Sequence, residues 1–201
     1  MHVKEDAYSS TLSRNRFLFF EMKIIAKLKL QGLNDQEIQR KVKAENLFQY
    51  KTPSGIAKSL NMAMKRVAVL DEFLLKVLAE GNSEKGRLIV LYSIWKMDPL
   101  LRDFFIEVVQ DKFLTRQYHL ADADLRKFFS EKTEQSPVVA GWTDRTFKDL
   151  REAYRRILIE VGMASRNNQT IHPLIISPSL LEYLTQIGEK QFVTVLTGEQ
   201  Q

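Results

Sequence analysis

WTDRTFKDLREAYRRILIEVG, Trp142 to Gly162, reads as one amphipathic helix. Thr143 carries the hydroxyl that caps a helix start, and Asp144 suits the positive end of the helix dipole. Gly162 supplies a C-terminal stop. Phe147, Leu150, Tyr154, Ile157, Leu158 and Val161 recur at helical spacing and form one apolar stripe. Arg145, Lys148, Arg151, Arg155 and Arg156 occupy the other sector, with Arg151 nearest the border. An apolar back and an arginine-rich front suit a helix that reads DNA. They also suit an ordinary solvated helix, and the flanking sequence has to separate the two.

Upstream, Asp122 or Asp124 starts a helix that turns Leu125, Phe128 and Phe129 inward. A polar connector with Pro137 follows, from Glu131 to Gly141, so the region reads as a helix-turn-helix. Downstream, Met163 to Pro173 contains Arg166-Asn-Asn-Gln169, a polar turn in which Asn tolerates positive φ. Two short strands around it would form a β-hairpin wing with Arg166 at the tip and Asn167 or Asn168 beside the sugar-phosphate backbone. A plain surface loop is the alternative. Ser177-Pro178 then caps a helix with Leu180, Leu181, Tyr183, Leu184 and Ile187, and Phe192 to Leu196 packs a last short element on the body.

The pattern has an echo. A shift of 90 positions sets Ala57-Lys-Ser-Leu-Asn-Met-Ala-Met-Lys-Arg-Val67 on Phe147 to Ile157. Lys58 falls on Lys148, Leu60 on Leu150, Ala63 on Ala153, and Lys65-Arg66 on Arg155-Arg156. Thr52-Pro53 starts this earlier helix as cap and first residue. Ile56, Leu60, Ala63, Met64 and Val67 are its stripe; Ser54, Lys58, Asn61 and Lys65 lie opposite, with Arg66 to one side. Before it, Asn34 and Glu37 have the form of a capping box, and Ile38 and Val42 point inward. The chain thus carries two helix-turn-helix patterns, and the arginine-rich second one is expected to be the stronger reader. Asn61 and Arg151, one turn before the basic pairs, are the candidates for base edges; the other cations face phosphate.

Arg16 to Leu30 reads as a helix with Phe17, Phe20, Ile24 and Leu28 in one row, after a polar arm (residues 1 to about 14) that is extended or loosely packed. Arg14 and Arg16 could touch phosphate from that arm. Asp71 to Ala79, Ser83 or Glu84 to Lys96, and a helix opened by Asp98-Pro99 supply apolar scaffold. The expected organisation is all-α: residues 1–80 with the first helix-turn-helix (about 34–67), 81–115 as central core helices, and 116–201 as the second, winged one.

The composition fits that plan. The 201 residues are 44% hydrophobic and 27% charged, with 8 glycines and 5 prolines. The net charge of +5 permits a polyanionic partner without requiring one. With no cysteine there is no disulfide and no thiolate ligand or nucleophile. His2, His119 and His172 form no metal-binding pair, and no phosphate loop, dinucleotide fingerprint or nucleophile elbow occurs. No apolar run approaches the roughly 20 residues that span a bilayer. The expectation is a cytoplasmic, non-enzymatic protein without cofactor, metal or small-molecule substrate.

FLFFEMKIIAKLKLQGLNDQEIQRKVKAENLFQYKTPSGIAKSL, WTDRTFKDLREAYRRILIEVGMAS and PLIISPSLLEYLTQIGEKQFVTVLTGE together resemble the BrxA family of BREX (bacteriophage exclusion) systems. The resemblance runs from about Arg16 to Glu199. It implies an all-helical DNA-binding component of a multi-protein phage defence in which host DNA is marked by adenine methylation and unmarked phage DNA is blocked. Other BREX proteins are its implied partners. An inner-membrane label used for some members sits poorly with the absence of a spanning segment. A proposed similarity to the RNA-binding antitermination factor NusB keeps RNA as a rival ligand. Docking of other defence subunits, as an adaptor, is the remaining alternative.

Overall fold

A computed structural model of the chain describes residues 8–14, 17–166 and 169–198. Helices dominate, and β pairing among the described residues is limited to two isolated antiparallel bridges, as the all-α expectation requires. The chain forms two compact units, Asn15–Met97 and Met1–Arg14 with Asp98–Gln201. The division falls inside the 81–115 stretch. Asp98 leaves helical geometry (φ −124°, ψ 95°), its carboxylate accepts from the Leu101 amide at 2.9 Å, and Pro99 begins a new helix.

The Asn15–Met97 unit holds α1 (Phe19–Leu30), α2 (Asp35–Ala44), α3 (Pro53–Val67), α4 (Glu72–Glu80) and α5 (Ser83–Met97). α1 starts after Leu18, whose φ is 65°, and buries Phe19, Met22, Ile25, Ala26 and Leu28. Phe20, expected in the inward row, is instead 70% exposed. Apolar residues surround this helix, so periodicity alone does not fix which row is central. The capping box of α2 is complete: Asn34 Oδ1 accepts from the Gln36 and Glu37 amides at 3.0 Å, and Glu37 Oε2 accepts from the Asn34 amide at 2.8 Å. Thr52 Oγ1 accepts from the Gly55 amide and Pro53 is the first residue of α3, which buries the predicted stripe. α5 is buried from Leu88 to Trp95. A Cβ on Gly86 would stand 2.7 Å from Phe19 Cε2, so only glycine lets α5 approach α1 this closely.

In the other unit, α6 (Pro99–Phe104) runs through a π-helical stretch, Phe105–Gln110, into α7 (Asp111–Leu114). α8 (Asp122–Gln135), α9 (Pro137–Ala140), α10 (Asp144–Glu160), α11 (Pro178–Gln186) and α12 (Lys190–Thr197) follow. The Glu131–Gly141 connector is therefore mostly helical: α8 extends to Gln135, and α9 buries Val139. The Phe104 ring lies 4.9 Å from Tyr154 and 5.6 Å from Phe128, which ties α6, α8 and α10 into one aromatic core. The expected loose arm, over its described residues 8–14, is a packed segment. Thr11–Ser13 forms a 3₁₀ turn, Leu12 is buried, and the turn rests on α10. Arg14 is exposed and Arg16 lies outside the described residues. Among the described residues no helix is long and apolar enough to cross a membrane.

Candidate nucleic-acid interface

α3 directly follows α2, α10 follows α8 across the short α9, and each has the amphipathic form read from the sequence. On α3, Ser54, Lys58, Asn61 and Lys65 are all exposed and share one face, as spacings of three, four and seven require. No acidic side chain occurs between Pro53 and Val67. Arg66 departs from the expected interface. It is 2% exposed, and its Nη1 donates to the Phe17 carbonyl at 2.8 Å. The left-handed backbone at Leu18 precedes α1 directly, so this guanidinium braces the entry of the chain into α1.

The α10 cations divide into two sets. Arg145, Lys148 and Arg156 are exposed, Arg145 to 90%, and among the described residues Arg145 makes a long contact of 3.9 Å to Asp149. Arg151 and Arg155 lie lower, with side chains 22% and 27% exposed. Arg151 Nε and Arg155 Nη2 each stand 3.7 Å from the same oxygen, Asp122 Oδ1 at the start of α8. Arg155 Nη1 also donates to the Leu120 carbonyl at 3.2 Å, and Arg126 pairs with Asp122 Oδ2 one turn along α8. The echo between α3 and α10 thus holds in sequence position but not in environment. Lys58 and Lys148 are both exposed, whereas Arg66 is buried where Arg156 is exposed. Periodicity could not show the Asp122 grip, since it joins residues 29 and 33 positions apart. Asp124, its neighbour, accepts from the Ala121 amide at 2.7 Å and pairs with Lys112 at 3.0 Å, which is a capping role.

After α10, Gly162 takes a φ of 81° and turns the chain. Ala164 then bridges Ile171, and His119 bridges Thr170, both antiparallel. The His172 amide donates to the Met163 carbonyl, and the Ile171 and Leu120 amides exchange bonds with Tyr118 and Gln169. A minimal three-segment pairing therefore flanks the C-terminal half of α10. Arg166 is exposed near its turn; Asn167 and Asn168 lie outside the described residues. A cleft of about 450 Å³ opens between this pairing and α10, with Asp122, Arg155, Ser165, Arg166 and Gln169 among its walls.

Under α10 lies a second charged cluster that sequence inspection did not find. Lys132, its side chain 3% exposed, donates to Glu107 Oε1 at 2.5 Å and Asp103 Oδ2 at 3.1 Å. Burial opposes its charge, yet the Glu107 and Asp103 carboxylates hold the ammonium well above the usual lysine range. The Tyr8 hydroxyl donates to Asp103 Oδ2 at 2.5 Å, and Lys132 lies over the Tyr8 ring. Burial, with the Asp103 bond and charge, pushes the Tyr8 phenol above its ordinary value. This cluster fastens the N-terminal segment under the helix bearing the arginines. No group of three or more histidine or acidic side chains suited to a metal occurs among the described residues.

The chain is 35% identical over 199 residues to BREX protein BrxA of Bacillus cereus (strain H3081.97), covering 98% of this chain and 100% of that protein. It is 24% identical over 204 residues to BREX protein BrxA of Escherichia coli O9:H4 (strain HS), covering 98% and 93% of the two. A crystal structure of an uncharacterized protein from Magnetospirillum magneticum has the same fold, with a TM-score of 0.80 over 96% of this chain and 99% of that one at 22% identity. The BrxA family model matches residues 6–188, and with a near-full-length relative at 35% identity the chain belongs to the BrxA family.

Proposed function

We propose that the chain is a non-enzymatic, cytoplasmic, double-stranded DNA-binding component of a BREX phage-defence system, where it supports host DNA methylation and exclusion of phage DNA. The observation that carries this reading is the exposed face of α3. Ser54, Lys58, Asn61 and Lys65 stand together on the second helix of a helix pair, with no acid in the same helix. A face of that kind meets phosphates through the lysines and leaves Asn61 to address base edges. α10 presents Arg145, Lys148 and Arg156 in the same way, and the paired segment carrying Arg166 supports a wing that lies on the backbone.

Binding of this type is driven by counterion release. If about five or six phosphates are neutralised, log K falls against log salt with a slope of roughly −5. Fluorescence anisotropy of a labelled duplex between low and moderate salt measures that slope, and a flat response would remove the electrostatic basis of the reading. Competition by a structured RNA of equal length separates duplex DNA from RNA as the preferred ligand. Exposed Ile175 and Phe20, at 100% and 70%, favour a compatible adaptor role toward other BREX proteins, which nuclease-resistant co-purification would detect.

A further inference from the structure

Arg151 and Arg155 differ from the other α10 cations in being held by an acid from outside their own helix. Asp122 is shared among three guanidiniums: Arg151 and Arg155 on Oδ1 and Arg126 on Oδ2. One negative charge against three positive ones leaves the cluster under-neutralised. The two α10 contacts, at 3.7 Å, are ion pairs longer than hydrogen bonds. Partly exposed pairs of that length are weak and exchange for another anion. Arg155 keeps a further anchor at the Leu120 carbonyl, whereas Arg126 is paired with Asp122 from within α8. Arg151 and Arg155 are thus drawn toward the α8 start instead of extending into solvent.

The site is open to a competing anion. Asp122 and Arg155 line the cleft of about 450 Å³ that also has Arg166 and Ser165 on its wall. A phosphate entering there meets the two cations that line it, Arg155 and Arg166, and competes with Asp122 for Arg155.

We propose that Asp122 is an internal stand-in for a nucleic-acid phosphate, an affinity-limiting residue that holds Arg151 and Arg155 until a backbone phosphate replaces it. This rests on the DNA-binding reading above. Its consequence is that α10 binds any duplex less tightly than its arginine content allows, and that the cost falls on every sequence alike. A residue that merely positioned the two arginines for DNA would have the opposite signature, since its loss would weaken binding.

The test uses the full chain and a labelled duplex of about 20 base pairs, with the salt dependence of binding measured for the wild type, Asp122→Asn and Asp122→Ala. The expected result for both variants is binding tighter by about five-fold, as suits the loss of two weak ion pairs, with the salt slope steeper by about one. Adding Arg151→Ala and Arg155→Ala to Asp122→Asn erases the gain. Two independent replacements guard against a folding defect in either, and a change of slope is not produced by lost helix stability. Salt-dependent binding by the wild type with equal or weaker binding by both variants overturns the inference and leaves the DNA reading standing. Absence of duplex binding by the wild type and by both variants overturns the two together.

Discussion

At the scale of single residues, buried polar groups in the Met1–Arg14 and Asp98–Gln201 unit show two different solutions to desolvation. Lys132 is fully engaged by Glu107 and Asp103, so its charge is retained at the base of the unit. Tyr154, entirely buried on α10, is not so served: no hydrogen-bond partner reaches its Oη among the described residues. Burial, reinforced by the Asp98 and Asp103 charges, pushes its phenol well above the ordinary value, so the group stays neutral. Its ring does the packing, 4.9 Å from Phe104 and 5.5 Å from Phe129. A buried hydroxyl without a partner costs about 1–3 kcal/mol of desolvation, and removing it recovers part of that. Tyr154→Phe is therefore expected to leave stability unchanged or to raise it by about 1 kcal/mol, measured by urea denaturation. A loss greater than about 1 kcal/mol would mean that the hydroxyl is paired in solution.

At the scale of elements, helix starts are held by side chains that the sequence displays openly. The Asn34–Glu37 box satisfies three backbone amides at the start of α2, an exposed helix with only Ile38 and Val42 buried. With so little packing behind it, this helix depends on its cap. Asn34→Ala is expected to cost about 1 kcal/mol, visible as a lower thermal midpoint, while Asn34→Ser should cost little. Such local signals explain why α2, α3 and α10 were legible to within a residue or so. Each has a polar cap, a single apolar stripe and a charged opposite face, all encoded within a dozen or so residues. α1 was less legible because apolar residues occur on every side of it, and the outward position of Phe20 follows from its neighbours, not from its own period. The N-terminal segment looked polar and loose, yet Leu12 and Tyr8 find partners near residues 103 and 132 and on α10. The charge network at Asp122 was hidden for the same reason: the partners of Arg151 and Arg155 are remote in sequence, and a count of cations along one helix does not reveal which are already occupied.

At the scale of the whole molecule, under the DNA-binding function proposed above, the occupied cations change which basic helix should contribute most to affinity. From sequence, α10 was expected to be the stronger reader because it holds more arginine. Between Asp144 and Glu160 there are five basic and four acidic residues, whereas between Pro53 and Val67 there are three basic and none acidic. Arg151 and Arg155 are held at Asp122, and Arg66 is buried, so the available sets are Arg145, Lys148 and Arg156 on α10 against Lys58 and Lys65 on α3. The α10 set lies beside Asp149 and Glu152, which a nearby phosphate repels; the α3 set has no acid in its own helix. If the two lysines each neutralise one phosphate, Lys58→Ala with Lys65→Ala flattens the salt slope by about two. The paired change Arg151→Ala with Arg155→Ala removes charges already balanced in part by Asp122, so it should flatten the slope by less than one. Both double variants leave the buried stripes of their helices untouched, which circular dichroism can verify. Measured side by side on one duplex, they order the two units by their share of the electrostatic grip. A larger loss from the α10 pair than from the α3 pair would restore arginine content as the guide and would count against Asp122 as a restraint.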